Sequence, residues 1–367
     1  VEARLNDAKF FWDKNKTQNL VKGISNLKKL SYFEGLGSYF EKIQRLRKLG
    51  ALISDELLIS KEKVEVASSI CKVDLTSDLV NEFPELQGIM GSHFAKSQGF
   101  DNDVCLAVRE HYLPTGPETK TPKKPYSITL AMSDKIDTLT GFFSINLKPT
   151  SSKDPFALRR SAIGVIRLVV ENKLEIKLKD IINYSFLLFK EQNLNFDIKF
   201  AQQDLYKFIS ERLRFYMKEK NIRPDIIESS MSNYNTDQIY KIFNKALILN
   251  KLIDKNIGQD IIFSYKRASN ILNYEVKKEK LELSETTDPG LFKKDSEKKL
   301  YKKLQEIRKY FTSLGSDEDC EKSLEILAEA KTEVSNFFKE VIVNDDNESI
   351  KKNRLELLQL LCKTFNN

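Results

Sequence analysis

The stretch DPFALRRSAIGVIRLVVEN, residues 154–172, opens with an Asp–Pro pair and then places its polar side chains at intervals of three and four. A carboxylate followed by proline is a helix start. The aspartate oxygens can accept from the unpaired N–H groups of the first turn, and proline has no N–H to leave unpaired. The spacing therefore predicts a helix over 155–172 with Asp154 as its cap. Successive residues turn by about 100° on a helix. Arg160, Gly164, Arg167 and Glu171 then share one stripe, while Phe156, Leu158, Ile163, Val165, Ile166, Val169 and Val170 fill much of the remaining circumference. Such a helix is buried on two sides and keeps one basic, glycine-notched stripe. Arg159 projects between Ile166 and Val170. An isolated guanidinium is costly to bury, so Arg159 either snorkels to solvent, pairs with a carboxylate of a neighbouring helix, or meets a phosphate or acidic group.

The same period recurs along the chain. Gly and Pro number 13 and 9 among 367 residues, apolar residues repeat at three and four, and no sustained alternation marks a sheet. An all-α fold is expected. Residues 1–20 and 32–60 read as helices, 62–113 as several shorter ones, and 127–145 as another. HYLPTGPETKTPKKPY, 111–126, holds four of the nine prolines and reads as a loop. A second helical block runs from residue 177 to the end, interrupted at 221–225 (NIRPD) and 277–290 (KKEKLELSETTDPG). The charge-rich ENKLEIKLKDIIN, 171–183, lacks Gly and Pro and reads as a helical connection rather than a flexible linker. The expected organisation is a domain over 1–150, a connecting region over 151–185 and a second domain over 186–367.

Composition narrows the function classes. A net charge of +7 with a pI near 8.9 permits a polyanionic partner without demanding one. Two histidines and four cysteines without a CxxC pair give no support to zinc ribbons, redox motifs or most acid–base machinery. No P-loop and no nucleophile–base pairing is evident. No apolar run approaches the ~18 residues of a membrane span, and the opening VEARLNDAKFFW has no signal-peptide pattern. A cytoplasmic fragment of a longer protein is expected.

Particular segments carry a resemblance: FPELQGIMGSHFA (83–95), AVREHYLP (107–114), LAMSDKIDTLTGFFSINLKPTSSKDPFALRRSAIGVIRLV (130–169), ERLRFYM (211–217), IRPD (222–225) and SYKRASNIL (264–272). Together they resemble the β subunit of the bacterial two-subunit glycyl-tRNA synthetase, from RLNDAKFFWDK near the start to NRLELL near the end. The resemblance implies the C-terminal part of that subunit: an HD-like helical domain, a linker region and a helical-bundle anticodon-binding domain. It further implies that glycine activation with ATP and Mg belongs to an α subunit, that β supplies tRNA binding, and that the two assemble as α2β2. No cofactor and no catalytic residue is then expected in this fragment.

HD phosphohydrolases place a His–Asp pair in a metal site. Here Gln87 and Gly88 stand in its place, whereas His111 and Asp134 remain. An amide and a glycine cannot replace those ligands, so His111 and Asp134 are expected to be structural and the hydrolase chemistry absent.

The best candidate for reading bases lies at 261–274 (IIFSYKRASNILNY). Phe263, Lys266, Arg267, Asn270 and Tyr274 share one helix face, opposite Ile261, Ala268, Ile271 and Leu272. Stacking rings, an amide and cations together suit unpaired bases; a helix–helix contact uses the same residues equally well. Lys207, Arg214 and Lys218 form the solvent stripe of 204–220, with Arg214 and Lys218 facing RNA, while Arg212 falls among Leu205, Phe208 and Tyr216 and is expected to be a paired structural arginine. Lys123 and Lys124 sit in the proline-rich loop, as flexible phosphate contacts or simply as solvated cations. Arg160 and Arg167 complete the candidate RNA contacts, and Arg354 serves either phosphates or the bundle. The leading reading is a tRNA-binding fragment of an aminoacyl-tRNA synthetase. A helical scaffold that binds other proteins and an HD-type hydrolase are the alternatives.

Overall fold

The computed structural model describes residues 2–17, 19–150, 153–232, 234–253, 256–279, 283–284, 286–313 and 320–366. The chain folds into two compact units, Val1–Phe243 and Asn244–Asn367.

Unit 1 contains the helices α1 (Glu2–Asn15), α2 (Leu20–Gly23), α3 (Tyr39–Glu56), α4 (Lys61–Ile70), α5 (Asp78–Glu82), α6 (Ile89–Ser97), α7 (Asn102–Glu110), α8 (Pro125–Ser144), α9 (Leu158–Glu171), α10 (Leu178–Glu191), α11 (Ile198–Glu219) and α12 (Pro224–Met231). A small hairpin, β1 (Ser31–Phe33) with β2 (Gly37–Ser38), precedes α3. The helix expected from residue 32 therefore starts only at Tyr39. Gly35 and Gly37 take φ of 82° and 83°, a left-handed turn open to glycine, and Ser38 and Glu41 then form a capping box that starts α3.

The centre of unit 1 is α8, whose Pro125 occupies the first turn and whose residues are buried on nearly every side. It packs against α3, α7, α9, α10 and α11. Segment 151–185 lies wholly inside this unit: α9 and α10 both cover α8, and α11 packs on α8 and α9. The division between units instead falls within α13 (Ile239–Ile253). Apolar faces on α9 and α10 bury against a shared partner, so no linker can form there.

The helix of the 154–172 stretch begins three residues later than the Asp–Pro pair predicts. Phe156 stacks on Phe142 at 4.3 Å and meets Phe33 edge-on at 5.1 Å, which holds the entry as a turn with Ala157 at φ 55°. Asp154 still caps it, from outside: its two oxygens accept from the N–H groups of Leu158 and Arg159, each at 2.9 Å.

Unit 2 is built from α14 (Asn256–Glu279), α15 (Asp295–Ser313), α16 (Cys320–Ala328), α17 (Lys331–Glu340) and α18 (Glu348–Asn366). Ala268 of α14 is fully buried with Leu300, Leu304, Phe337, Leu355 and Leu358 in its core. Arg354 belongs to this bundle: it bonds Glu297 at 2.8 Å, Asp345 at 2.7 Å and the carbonyl of Ile342 at 2.9 Å. Among the described residues no helix is long and apolar enough to cross a membrane.

Candidate nucleic-acid interface

The core of unit 1 gathers charges that an apolar helix would not be expected to carry. Asp134 and Asp137 stand one turn apart on α8, and both are buried. Lys42 of α3 lies 3.2 Å from Asp134 and 2.9 Å from Asp137; Lys72 lies 3.0 Å from Asp134; Arg45 forks onto Asp137 at 2.5 and 3.2 Å. Aromatic rings face the same cations. Tyr32 lies 4.4 Å from Lys42, Tyr112 lies 3.8 Å from Lys72, and Phe189 lies 4.1 Å from Arg45.

Burial by itself would raise Asp134, yet the ammonium groups of Lys42 and Lys72 hold its carboxyl far below the usual carboxylate range. Burial would likewise raise Asp137, and Arg45 and Lys42 hold it down. Burial, then the charge of Lys72, pushes His111 well below its ordinary value; its Nδ1 lies 2.6 Å from the carbonyl of Val108. Asp74 takes the position opposite Gly88, accepting from the N–H groups of Gly88 at 2.6 Å and Gly91 at 3.0 Å. These residues do not fit a divalent metal. Two ammonium groups already occupy the approach to Asp134 and would repel a cation, and Gly88 offers only a backbone N–H. Among the described residues no group of three His, Cys, Asp or Glu side chains could hold a metal ion. The knot holds α3, α8 and the Lys72 segment together.

The basic residues predicted to meet RNA divide into two groups. Arg167 is 8 % exposed and committed: it bonds Glu171 at 2.6 Å and the carbonyls of Gly116 and Thr119, each at 2.8 Å. The stripe that looked solvent-facing is the seat of the proline-rich loop. That loop is fastened further by Thr121 on Glu171 at 2.9 Å and by Asn172 on the Pro122 carbonyl at 3.1 Å. Lys123, expected to be flexible, donates to the Glu171 carbonyl at 2.9 Å, at the C-terminus of α9. Lys124 is exposed at the start of α8. Among the described residues Arg159 finds no carboxylate; its guanidinium donates to the Thr150 carbonyl. Arg212 finds none either, and lies over Phe208 and Phe215 at 5.6 and 5.7 Å. Arg214 pairs with Glu228 at 3.2 Å, and Lys207 and Lys218 are exposed. Arg160 is exposed as the stripe predicted.

In unit 2 the predicted face of α14 is present as drawn. Phe263 and Tyr274 are 68 % and 63 % exposed, and Lys266, Arg267 and Asn270 are exposed between them. Ala268, Ile271 and Leu272 pack inward; the side chain of Ile261 lies outside the described residues. Arg267 lies over the Phe338 ring at 4.4 Å, which steadies its guanidinium. Among the described residues neither Lys266 nor Arg267 has a carboxylate partner. Two large rings thus stand in water on a basic face.

Comparison with known proteins agrees with this geometry. Residues 1–232 match the family model described as glycyl-tRNA synthetase beta subunit, and residues 261–367 match the DALR anticodon binding domain. The glycine–tRNA ligase beta subunit of Cereibacter sphaeroides is 34 % identical over 368 residues, 99 % of this chain and 53 % of that protein. Those of Rickettsia canadensis and Rhodospirillum centenum are each 34 % identical over 100 % of this chain, and over 52 % and 51 % of their own length. The chain thus spans about half the length of the curated relatives it matches. The first match alone takes in more than half of the 367 residues, and its segments are those that fold around α8: the chain belongs to the glycyl-tRNA synthetase beta subunit family.

Proposed function

We propose that this chain is the tRNA-binding half of a glycine–tRNA ligase β subunit. It binds glycine tRNA while an α subunit activates glycine with ATP and Mg, the two assembling as α2β2. The observation that carries the reading is the α14 face. Phe263 and Tyr274 supply stacking surfaces, Asn270 supplies an amide for a base edge, and Lys266 and Arg267 supply phosphate contacts, all outward-facing within the stretch that matches an anticodon-binding domain. Arg160, Lys124, Arg214 and Lys218 add cations on unit 1 that reach solvent or are only lightly paired.

Titration of the chain with glycine tRNA at rising salt tests this. Binding should weaken linearly in log–log form as counterions are retained. Arg267→Ala or Asn270→Ala should also narrow the difference in affinity between glycine tRNA and its anticodon variants. A folded chain with no salt-sensitive tRNA binding would remove the reading. An equal loss on every tRNA would reduce the α14 face to phosphate positioning.

A further inference from the structure

Unit 1 carries a cleft of about 260 Å³ between α9, α11 and the Pro114–Pro117 segment. Pro114, Pro117, Ile163 and Phe215 line it, with Arg160 and Arg212. Arg159 and Arg167 reach it too; Arg167 is engaged by the Gly116 and Thr119 carbonyls and by Glu171, and Arg159 donates to the Thr150 carbonyl.

The other two arginines differ. Arg160 is exposed and makes no ion pair among the described residues. Arg212 has a buried Nε with no acceptor, and two phenylalanine rings instead of a carboxylate beside its guanidinium. Phe215 is 46 % exposed on the same helix, a ring held in water next to the unspent charge. The one acidic side chain of the cleft is Glu219.

Unspent guanidinium groups and a wettable ring between proline and isoleucine walls suit an anion that carries a flat, apolar body. A nucleotide has that chemistry when it is unpaired, because only then are its faces free to stack. We infer that this cleft is a second RNA contact, one that takes a single unstacked nucleotide: the phosphate on Arg160 and Arg212, the base against Phe215. The inference rests on the RNA-binding reading above and assigns to unit 1 a site independent of α14.

The test uses the full chain and a fluorescent six-nucleotide single-stranded RNA, with and without its annealed complement. In a Phe263→Ala/Arg267→Ala background, single-strand binding should persist and the duplex should bind more weakly. Adding Phe215→Leu or Arg160→Ala should weaken the single strand roughly tenfold, in line with one stacking or one charged contact. Glu219→Gln should tighten it two- to threefold, on the order of one screened charge repulsion removed. Phe215 and Arg160 both reach solvent, so unchanged thermal unfolding controls for folding. The inference fails if the hexamer no longer binds in that background, or if cleft substitutions leave its affinity unchanged while wild type still binds glycine tRNA. It fails equally if those substitutions spare RNA and abolish capture of the purified α subunit, which would make the cleft a protein interface. If wild type binds neither RNA, both this inference and the tRNA-binding reading fall.

Discussion

In unit 1, Lys42, Arg45 and Lys72 lie over Tyr32, Phe189 and Tyr112 and are almost completely buried. In unit 2, Arg267 lies over Phe338 at a similar 4.4 Å and is exposed. The residue types are the same and so is the local stacking. What differs is the counter-charge. Asp134 and Asp137 pair with the first set inside a low-dielectric core, where an ion without a partner is costly. The described part of the α14 face supplies no carboxylate to Lys266 or Arg267, so their charge stays available. A basic–aromatic cluster is therefore a fastening or a binding face according to whether an acid closes it.

The largest test of that distinction is Asp137→Ala. It leaves Arg45 and Lys42 facing a core without their shared carboxylate, and should cost about 3–5 kcal/mol in urea unfolding. A cost under ~1 kcal/mol would mean that water reaches these cations and that the knot is no fastening. Phe263→Ala is the counterpart in unit 2. It should leave stability within about 0.5 kcal/mol and weaken glycine tRNA by about 1–3 kcal/mol. The opposite pattern, stability lost and binding kept, would turn the α14 face into a packing surface. Lys266→Ala should do less, lowering the slope of log affinity against log salt by about 1 without altering the choice of tRNA.

A separate effect concerns pH. Burial raises Asp74 to about 6, against the pull of the Gly88 and Gly91 N–H groups. Its ordinary value is about 3.9, so between pH ~4 and ~6 the folded state holds the extra proton and stability falls as pH rises through that window. Asp74→Asn keeps an acceptor for both N–H groups and should flatten the melting temperature across it. An unchanged slope would assign that pH dependence to other groups.

Much of this was readable from spacing. The helical period announced α8, α9, α11 and α14, and the α14 face emerged with its five residues on one side because an exposed helix obeys its own periodicity. The α9 stripe failed for the converse reason. Arg167 shares a stripe with Arg160, but a loop from 111–126 lies along part of it and consumes the guanidinium. Arg212 was read as paired because its neighbours are apolar, and it is flanked by rings instead. Asp134 and Asp137, three apart in α8, were the available signal of the buried knot. Their partners Lys42, Arg45 and Lys72 lie more than fifty residues away in sequence.

Sequence alone determined the helical class and the composition of the α14 face. Each depends on residues close in the chain, where backbone geometry sets neighbours. Tertiary structure alone decided which cations are spent. A lysine or arginine is occupied by whatever acid or carbonyl packing brings within a few ångströms, and for Lys42, Arg45, Lys72 and Arg167 that partner set is assembled largely from distant segments.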